Sequence, residues 1–360
     1  MNLKGLRGNR QPLLFLGIFM RRNGYLAWHR RLVLAFAPLL LLQALTGAVL
    51  LFHEPLARWL DPVASSAPAL PISAIVSGAQ AHGGSVDRLF LPDQAGHPAL
   101  AQMTAADGTT RYAAVDPASG LILREGGLWA FPLEAALQWH YRLMSGTVGL
   151  ALVALGGVVL ALLSGTGLAF WWPAKGRWNK SLTINPKMPA RVRLRHWHRN
   201  GGVLASVLLL FSAITGFLLS APDVPRAWTS ATPALPYRAT PAQIDAAVAL
   251  GQQQFPDAAL RDIRFPWTDR IDINFHAPQR NARAVHVASV RLSRAEVLKA
   301  VPADRNDALW MKVLPLHTGD SFGVAGTILL LIEALVLTAL AVTGPWMWWQ
   351  GRKFSGKSRK

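Results

Sequence analysis

Cysteine is absent from all 360 residues. Disulfides, thiolate metal sites and iron–sulfur clusters are therefore excluded by inventory, and histidine is left as the principal metal ligand. Acid is scarce as well: 19 Asp and Glu stand against 37 Lys and Arg, a formal net charge of +18. So basic a chain would ordinarily be read as binding a polyanion. The places where acid is missing argue otherwise. From Met1 to Arg31 there are seven basic residues and no acid, from Pro173 to Arg199 eight and none, and after Trp349 five and none. A dinucleotide fingerprint is also missing, as is any recognisable flavin site, so the chain is not expected to oxidise a nicotinamide cofactor itself.

What is present is apolar. Hydrophobic residues make up 51% of the chain and collect in four runs, Leu32 to Phe52, Val148 to Trp172, Val203 to Leu219 and Phe322 to Trp349. Each is about long enough to cross a ~30 Å hydrocarbon layer at roughly 1.5 Å per helical residue. The three acid-free basic segments then fall on one side of a four-span topology, the positive-inside pattern. A multi-pass protein of the bacterial inner membrane is expected, in contact with the lipid bilayer, with both termini cytoplasmic and no nucleic-acid partner. Its expected divisions are a cytoplasmic segment 1–31, a span 32–53, a periplasmic domain 54–138, a span 139–172, a basic cytoplasmic loop 173–199, a span 200–220, a second periplasmic domain 221–315, a span 316–349 and a tail 350–360. Pro12 to Met20 reads as an interfacial segment, because Arg21 and Arg22 follow it with no small-residue cleavage site.

A tandem repeat organises these divisions. Trp28-His29-Arg30 opens the first span and Trp197-His198-Arg199 the third; Thr46-Gly47 and Thr215-Gly216 follow at the same offset, as do Gln43 and Ser212. Counted from His140 and His317, the second and fourth spans agree at Gly149 and Gly326, at Thr166-Gly167 and Thr343-Gly344, and at Trp171-Trp172 and Trp348-Trp349. The unit is helix, long loop, helix, twice in one orientation. The small residues read as packing points where helix backbones approach in lipid, and the Trp pairs as interfacial belts. Both loops read as α+β. In the first, a helix at Pro71 to Ala81 precedes strands at Ser85 to Leu91, Ala99 to Thr104, Thr110 to Val115 and Leu121 to Arg124; in the second, a helix at Pro241 to Gln254 precedes strands at Asp262 to Phe265, Arg270 to Phe275 and Ala284 to Leu292. The expected fold is a membrane all-α four-helix bundle built from a tandem helix-loop-helix repeat, with two small α+β periplasmic domains.

Histidine carries the chemistry. His29 and His198 begin the first and third spans, and His140 and His317 the second and fourth, so a two-fold axis down the bundle lets each pair converge on one central metal. Bundle interiors build such sites, and a porphyrin needs apolar walls, two axial ligands and cations for its propionates. Two b-type haems are expected, with Arg30, Arg195 and Arg199 beside one pair and Arg142 and Lys312 beside the other. Bis-histidine ligation leaves iron no open position, which suits electron transfer. Alternatives stay open: His53 competes with either ligand of the second pair and His196 with His198, although His29 to His53 spans roughly 36 Å as a helix. His82, His97, His276 and His286 read as ordinary residues of the loops. Glu333, the one acid inside the four apolar runs, is either a proton carrier or polar partner, for instance to Gln43, or a protonated packing residue.

These residues resemble the PepSY-associated transmembrane proteins. The likeness rests on the Trp-His-Arg openings with their Thr-Gly pairs, on Leu316-His317-Thr318-Gly319, on Gly167-Leu-Ala-Phe-Trp-Trp-Pro173, and on Tyr112-Ala-Ala-Val-Asp-Pro-Ala-Ser-Gly120, which is similar to the strand and turn of a PepSY domain. The second loop lacks that turn. Members with this layout look like haem-containing ferric-siderophore reductases of the ferrioxamine reductase type. The resemblance implies electrons passed outward to a ferric siderophore, releasing Fe(II) for uptake, with a quinol or a separate cytoplasmic reductase as donor. Trp129, Trp139, Tyr141, Arg142, Trp228 and Trp310 either line a dock for that acceptor or form an aromatic belt. The rival reading is a PepSY-domain anchor that binds or regulates a periplasmic partner without redox activity; siderophore transport is a weaker one, the spans having few polar residues for a path.

Overall fold

The computed structural model describes residues 22–229, 238–265 and 268–357; Pro12 to Met20 lies outside them. The chain runs through α1 (Arg22–Leu50), α2 (His53–Leu60), α3 (Ile72–Ala79), β1 (Ser85–Phe90), β2 (Ala99–Thr104), β3 (Thr110–Val115), β4 (Ile122–Gly126), α4 (Pro132–Arg142), α5 (Gly146–Trp171), α6 (Trp178–Leu182) and α7 (Ala190–Ser220). It continues through α8 (Asp223–Thr229), α9 (Pro241–Gln254), β5 (Leu260–Arg264), β6 (Arg270–His276), β7 (Val285–Arg291), β8 (Glu296–Val301), α10 (Leu309–His317) and α11 (Gly323–Lys357).

Among the described residues four helical stretches are long and apolar enough to cross a membrane: Asn23–Leu50, Gly146–Trp171, Ala190–Thr229 and Asp320–Arg352. Two start before their apolar runs. Arg, Leu, Ala and His all support helix, and the hydrogen-bond ladder does not stop where hydrocarbon does. So α1 begins at Arg22, and α7 takes in the last ten residues of the expected basic loop. Large apolar side chains such as Leu204, Val207 and Leu335 lie exposed on these helices. In a membrane protein lipid covers such a face, and every backbone polar group is satisfied within the helix.

The chain divides into two units. The first spans residues 1–44, 155–214 and 333–360, and its described residues contain helices and no strand. Leu40 of α1, Val159, Leu160 and Leu163 of α5, and Ala205, Leu209 and Ala213 of α7 form its buried core, with Val336 and Leu340 of α11 packed against them. Small residues admit close contact: a Cβ on Gly156 would meet Leu39, and one on Gly202 would meet Leu340.

The second unit, residues 45–154 and 215–332, corrects the expected fold class. The molecule is not an all-α bundle carrying two separate small domains. Its two loops build one eight-stranded antiparallel sheet in the order β4-β3-β2-β1-β5-β6-β7-β8. The loops join where β1 pairs with β5, Leu89 opposite Ile263. Each four-stranded half would otherwise present an open edge at its first strand, and pairing the two edges satisfies both. A buried charge pair locks the seam, Arg88 Nε and Nη2 each lying 2.9 Å from Asp262 Oδ1. α3 and α9 pack over the sheet, joined by Asp245, which accepts from the Ser73 N–H at 3.0 Å and the Ser73 hydroxyl at 2.6 Å. Thr240 caps α9 in a reciprocal box with Gln243. Between the helices and the sheet lie Ile75 of α3 and the strand residues Leu89, Val115, Ile263, Ile273 and Phe275, all fully buried.

Candidate functional site

The first histidine pair belongs to the helical unit. His29 on α1 places Nδ1 3.2 Å from the Thr166 hydroxyl of α5, and His198 on α7 places Nδ1 2.7 Å from the Thr343 hydroxyl of α11. The glycine after each threonine faces the same ring: a Cβ on Gly167 would lie 3.3 Å from His29 Cε1, and one on Gly344 would lie 3.5 Å from His198 Cε1.

The second pair belongs to the sheet unit and has the same design. His140 Nδ1 lies 3.1 Å from the Thr46 hydroxyl, and His317 Nδ1 lies 2.9 Å from that of Thr215. Cβ atoms on Gly47 and Gly216 would sit 3.1 and 3.2 Å from the respective Cε1 atoms. The two imidazoles face each other, ring centroids 6.2 Å apart and planes inclined at 45°.

His140 and His317 do not open the spans as expected. They end α4 and α10, short helices that break before α5 and α11 begin. After α4 the chain passes through left-handed Leu143 and Met144 and then Gly146; after α10 it passes through left-handed Gly319 and then Gly323. The breaks explain two repeat-matched glycines. A Cβ on Gly149 would lie 1.6 Å from the Arg142 carbonyl oxygen, and one on Gly326 2.2 Å from that of Gly319, so the backbone folds back to a distance only glycine admits. The sheet holds both short helices. Phe131, just before α4, packs on Tyr112 at 5.6 Å between centroids, and Met311 of α10 is buried against Ala277, Ala284 and Val285. The sheet is thus the platform that sets His140 against His317.

The other singled-out residues sort by partner. His53 lies outside the span on α2, 3.6 Å from the Glu54 carboxylate, which holds its imidazole above the ordinary value. It lines a cavity of about 60 Å³ with Arg124 and Glu134, whose carboxyl burial pushes up. His196 Nδ1 lies 3.2 Å from Arg199 Nη2. Arg199 also donates to the Ser181 carbonyl, so it ties α7 to α6. Lys312 is paired with Asp307 at 2.8 Å. Arg30 and Arg195 are exposed, and Arg142 lies over the Tyr141 ring at 5.2 Å. Tyr141 itself donates to Asp223 at 2.7 Å. Buried Glu333 accepts from the Ser212 hydroxyl at 2.9 Å. His82, His276 and His286 bond to Glu125, Asp93 and the Ala303 N–H within the sheet unit.

The four Thr-Gly pairs, read from the sequence as packing points, each meet a histidine ring as well, a contact the sequence reading did not assign them. Their constant offset from a histidine in both repeats was the available signal, but it relates residues along one helix, whereas each contact reaches across to another.

Chemically, histidines in twos are distinctive. Among the described residues no cluster of three or more His, Asp or Glu assembles to hold a metal ion. A zinc-like site needs three or four protein ligands. A pair suits a metal that brings its remaining ligands with it, as a porphyrin iron does. With metal–nitrogen bonds of about 2 Å, two imidazoles on opposite sides of one ion have ring centres about 6 Å apart, and the 6.2 Å separation of His140 and His317 fits. No curated protein matches the chain. The model of the PepSY-associated TM region matches residues 26–351, through all four spans and the sheet. On that match the chain is a membrane protein that belongs to the PepSY-associated transmembrane family.

Proposed function

We propose that this protein is a haem-dependent oxidoreductase of the bacterial inner membrane that conducts electrons to a ferric siderophore at its periplasmic face, where Fe(III) gains one electron and leaves as weakly held Fe(II) for iron uptake. The observation that carries the reading is the facing pair His140 and His317, ring centroids 6.2 Å apart, each with Nδ1 against a threonine hydroxyl. His29 and His198 would hold one b-type haem and His140 and His317 the other. A haem held by two histidines supplies one-electron transfer with no open position for oxygen chemistry.

The rest is done by the chain's own residues. Four spans give the apolar walls. Positive-inside charge sets both termini in the cytoplasm, with His29 and His198 beside the basic segments and the sheet in the periplasm. A quinol or a separate cytoplasmic reductase supplies the electrons. Arg199 and Lys312 are already engaged, so Arg30, Arg195 and Arg142 are the better partners for propionate carboxylates. Exposed Trp129 and Trp228 of the sheet unit offer aromatic surface to the ferric complex.

Purified protein is expected to show a strong Soret band and low-spin b-type spectra at two haems per chain, and dithionite-reduced protein to be reoxidised by a ferric siderophore. Replacing His140 or His317 should remove one haem, and replacing His29 or His198 the other. Colourless protein from haem-replete cells would leave the PepSY-domain anchor without redox activity as the function. Haem without reoxidation would mean a different acceptor.

A further inference from the structure

We propose that Thr46, Thr166, Thr215 and Thr343 are positioning residues that hold each ligand histidine as its Nδ1–H tautomer and, through that bond, set the reduction potential of the group between each pair. This rests on the two-haem reading above. The contact occurs four times, always from a histidine on one helix to a threonine on another. In the first repeat His29 of α1 reaches Thr166 of α5, while His140 of α4 reaches Thr46 of α1. In the second, His198 of α7 reaches Thr343 of α11, and His317 of α10 reaches Thr215 of α7. Packing alone would not need the hydroxyl, since valine fills the same volume.

Proton counting gives the tautomer. A hydroxyl has one proton to donate. Thr166 gives its proton to the Leu162 carbonyl at 2.7 Å, and Thr343 gives its own to the Ala339 carbonyl at 2.6 Å. Each of these two hydroxyl oxygens can then only accept from its imidazole, so Nδ1 of His29 and of His198 carries hydrogen and Nε2 carries the lone pair that binds metal, and the repeat-related second pair is assigned the same tautomer. A histidine that donates its second nitrogen's proton is oriented and made a stronger donor to the metal. A stronger donor favours the ferric state and lowers the potential. The outer-shell oxygen here is a neutral hydroxyl rather than a carboxylate, which adds no charge within the membrane.

The test is a set of Thr→Val and Thr→Ser variants of the full chain, purified in detergent and read by haem content, low-spin EPR signals and redox titration. Thr166→Val and Thr343→Val should both raise the midpoint potential and shift the EPR signal of one haem component; Thr46→Val and Thr215→Val should do so for the other. Haem affinity at the altered site should fall by about tenfold or more. The serine variants, which keep the oxygen, should retain wild-type potentials and signals. Two-haem protein whose valine variants keep both potentials and both signals would overturn this inference and leave the haem reading standing. Equal loss of haem in the valine and serine variants would also overturn it, by showing that volume and not the hydroxyl matters. A wild-type protein without haem overturns both.

Discussion

Asp262 is fully buried on β5 and stands among arginines: Arg88 at 2.9 Å, Arg264 at 3.4 Å and Arg261 at 3.9 Å. The Asn274 amide donates to the same oxygen at 2.9 Å. Burial pulls the Arg88 guanidinium down to about 10, and the Asp262 carboxylate opposes that pull. Removing one partner of a buried pair leaves an uncompensated charge and costs about 3–5 kcal/mol. Asp262→Asn is therefore expected to destabilise the sheet unit by about 3 kcal/mol in urea unfolding followed by near-UV circular dichroism; a loss under about 1 kcal/mol, the surface-pair range, would mean that water solvates the arginines. Asp116 acts through hydrogen bonds instead. It accepts from the Ser119 hydroxyl and from the Ala118 and Ser65 N–H groups, which hold its carboxyl below the usual value. A lowered folded pKa gives stability that is present above the unfolded aspartate value near ~4 and is lost as pH falls through the folded value. Asp116→Asn should flatten this part of the acid limb of a stability–pH profile; an unchanged limb would assign it to other carboxylates.

The helix breaks before α5 and α11 are elements with a purpose: they turn a histidine-bearing helix, anchored on the sheet, into a span. Gly149→Ala puts a methyl where the Arg142 carbonyl stands, and Gly326→Ala does the same against Gly319, so each break must shift. On the two-haem proposal, either variant should lose the haem assigned to His140 and His317 while keeping the other, seen as a halved haem content with one low-spin signal remaining. Loss of both haems, or of neither, would separate the breaks from the second site. Such breaks were hard to read in advance, because left-handed Leu143 and Met144 are residues that ordinarily continue a helix. The spans themselves were legible, since ~20 apolar residues have few other uses. So were β2 and β3, which begin and end at the expected residues Ala99–Thr104 and Thr110–Val115. β8 was missed because it is an edge strand whose side chains are mostly exposed, so it lacks the alternation that marks a half-buried strand. Within the site, repeat arithmetic picked out the four histidines and the four Thr-Gly pairs. Which threonine serves which histidine depends on helix pairing, which no offset along one helix encodes.

The molecule as a whole is two copies of one repeat, and each site takes one member from each copy. His29 and His140 belong to the first copy, His198 and His317 to the second. The sheet follows the same rule, its halves meeting only at β1 and β5. That seam was illegible in the sequence because its strands lie more than 160 residues apart and each loop reads as complete alone. A chain divided between Pro186 and Lys187, at an exposed turn, tests the rule. α6 stays with the first half, where Trp178 packs on Trp171 and Trp172 at 5.1 and 5.0 Å, and the Arg199 and Asn200 bonds to the Ser181 and Leu182 carbonyls can re-form across the cut. The two halves expressed together should co-purify with two haems. Neither should bind haem alone, and the seam says why a half does not simply pair with itself. Two first halves would set β1 against β1, bringing two Arg88 side chains together without Asp262; two second halves would set Asp262 and its neighbouring arginines against their own copies without Arg88. Haem in the separately expressed first half would show that β1 tolerates self-pairing, and that the seam does not enforce the union of unlike repeats.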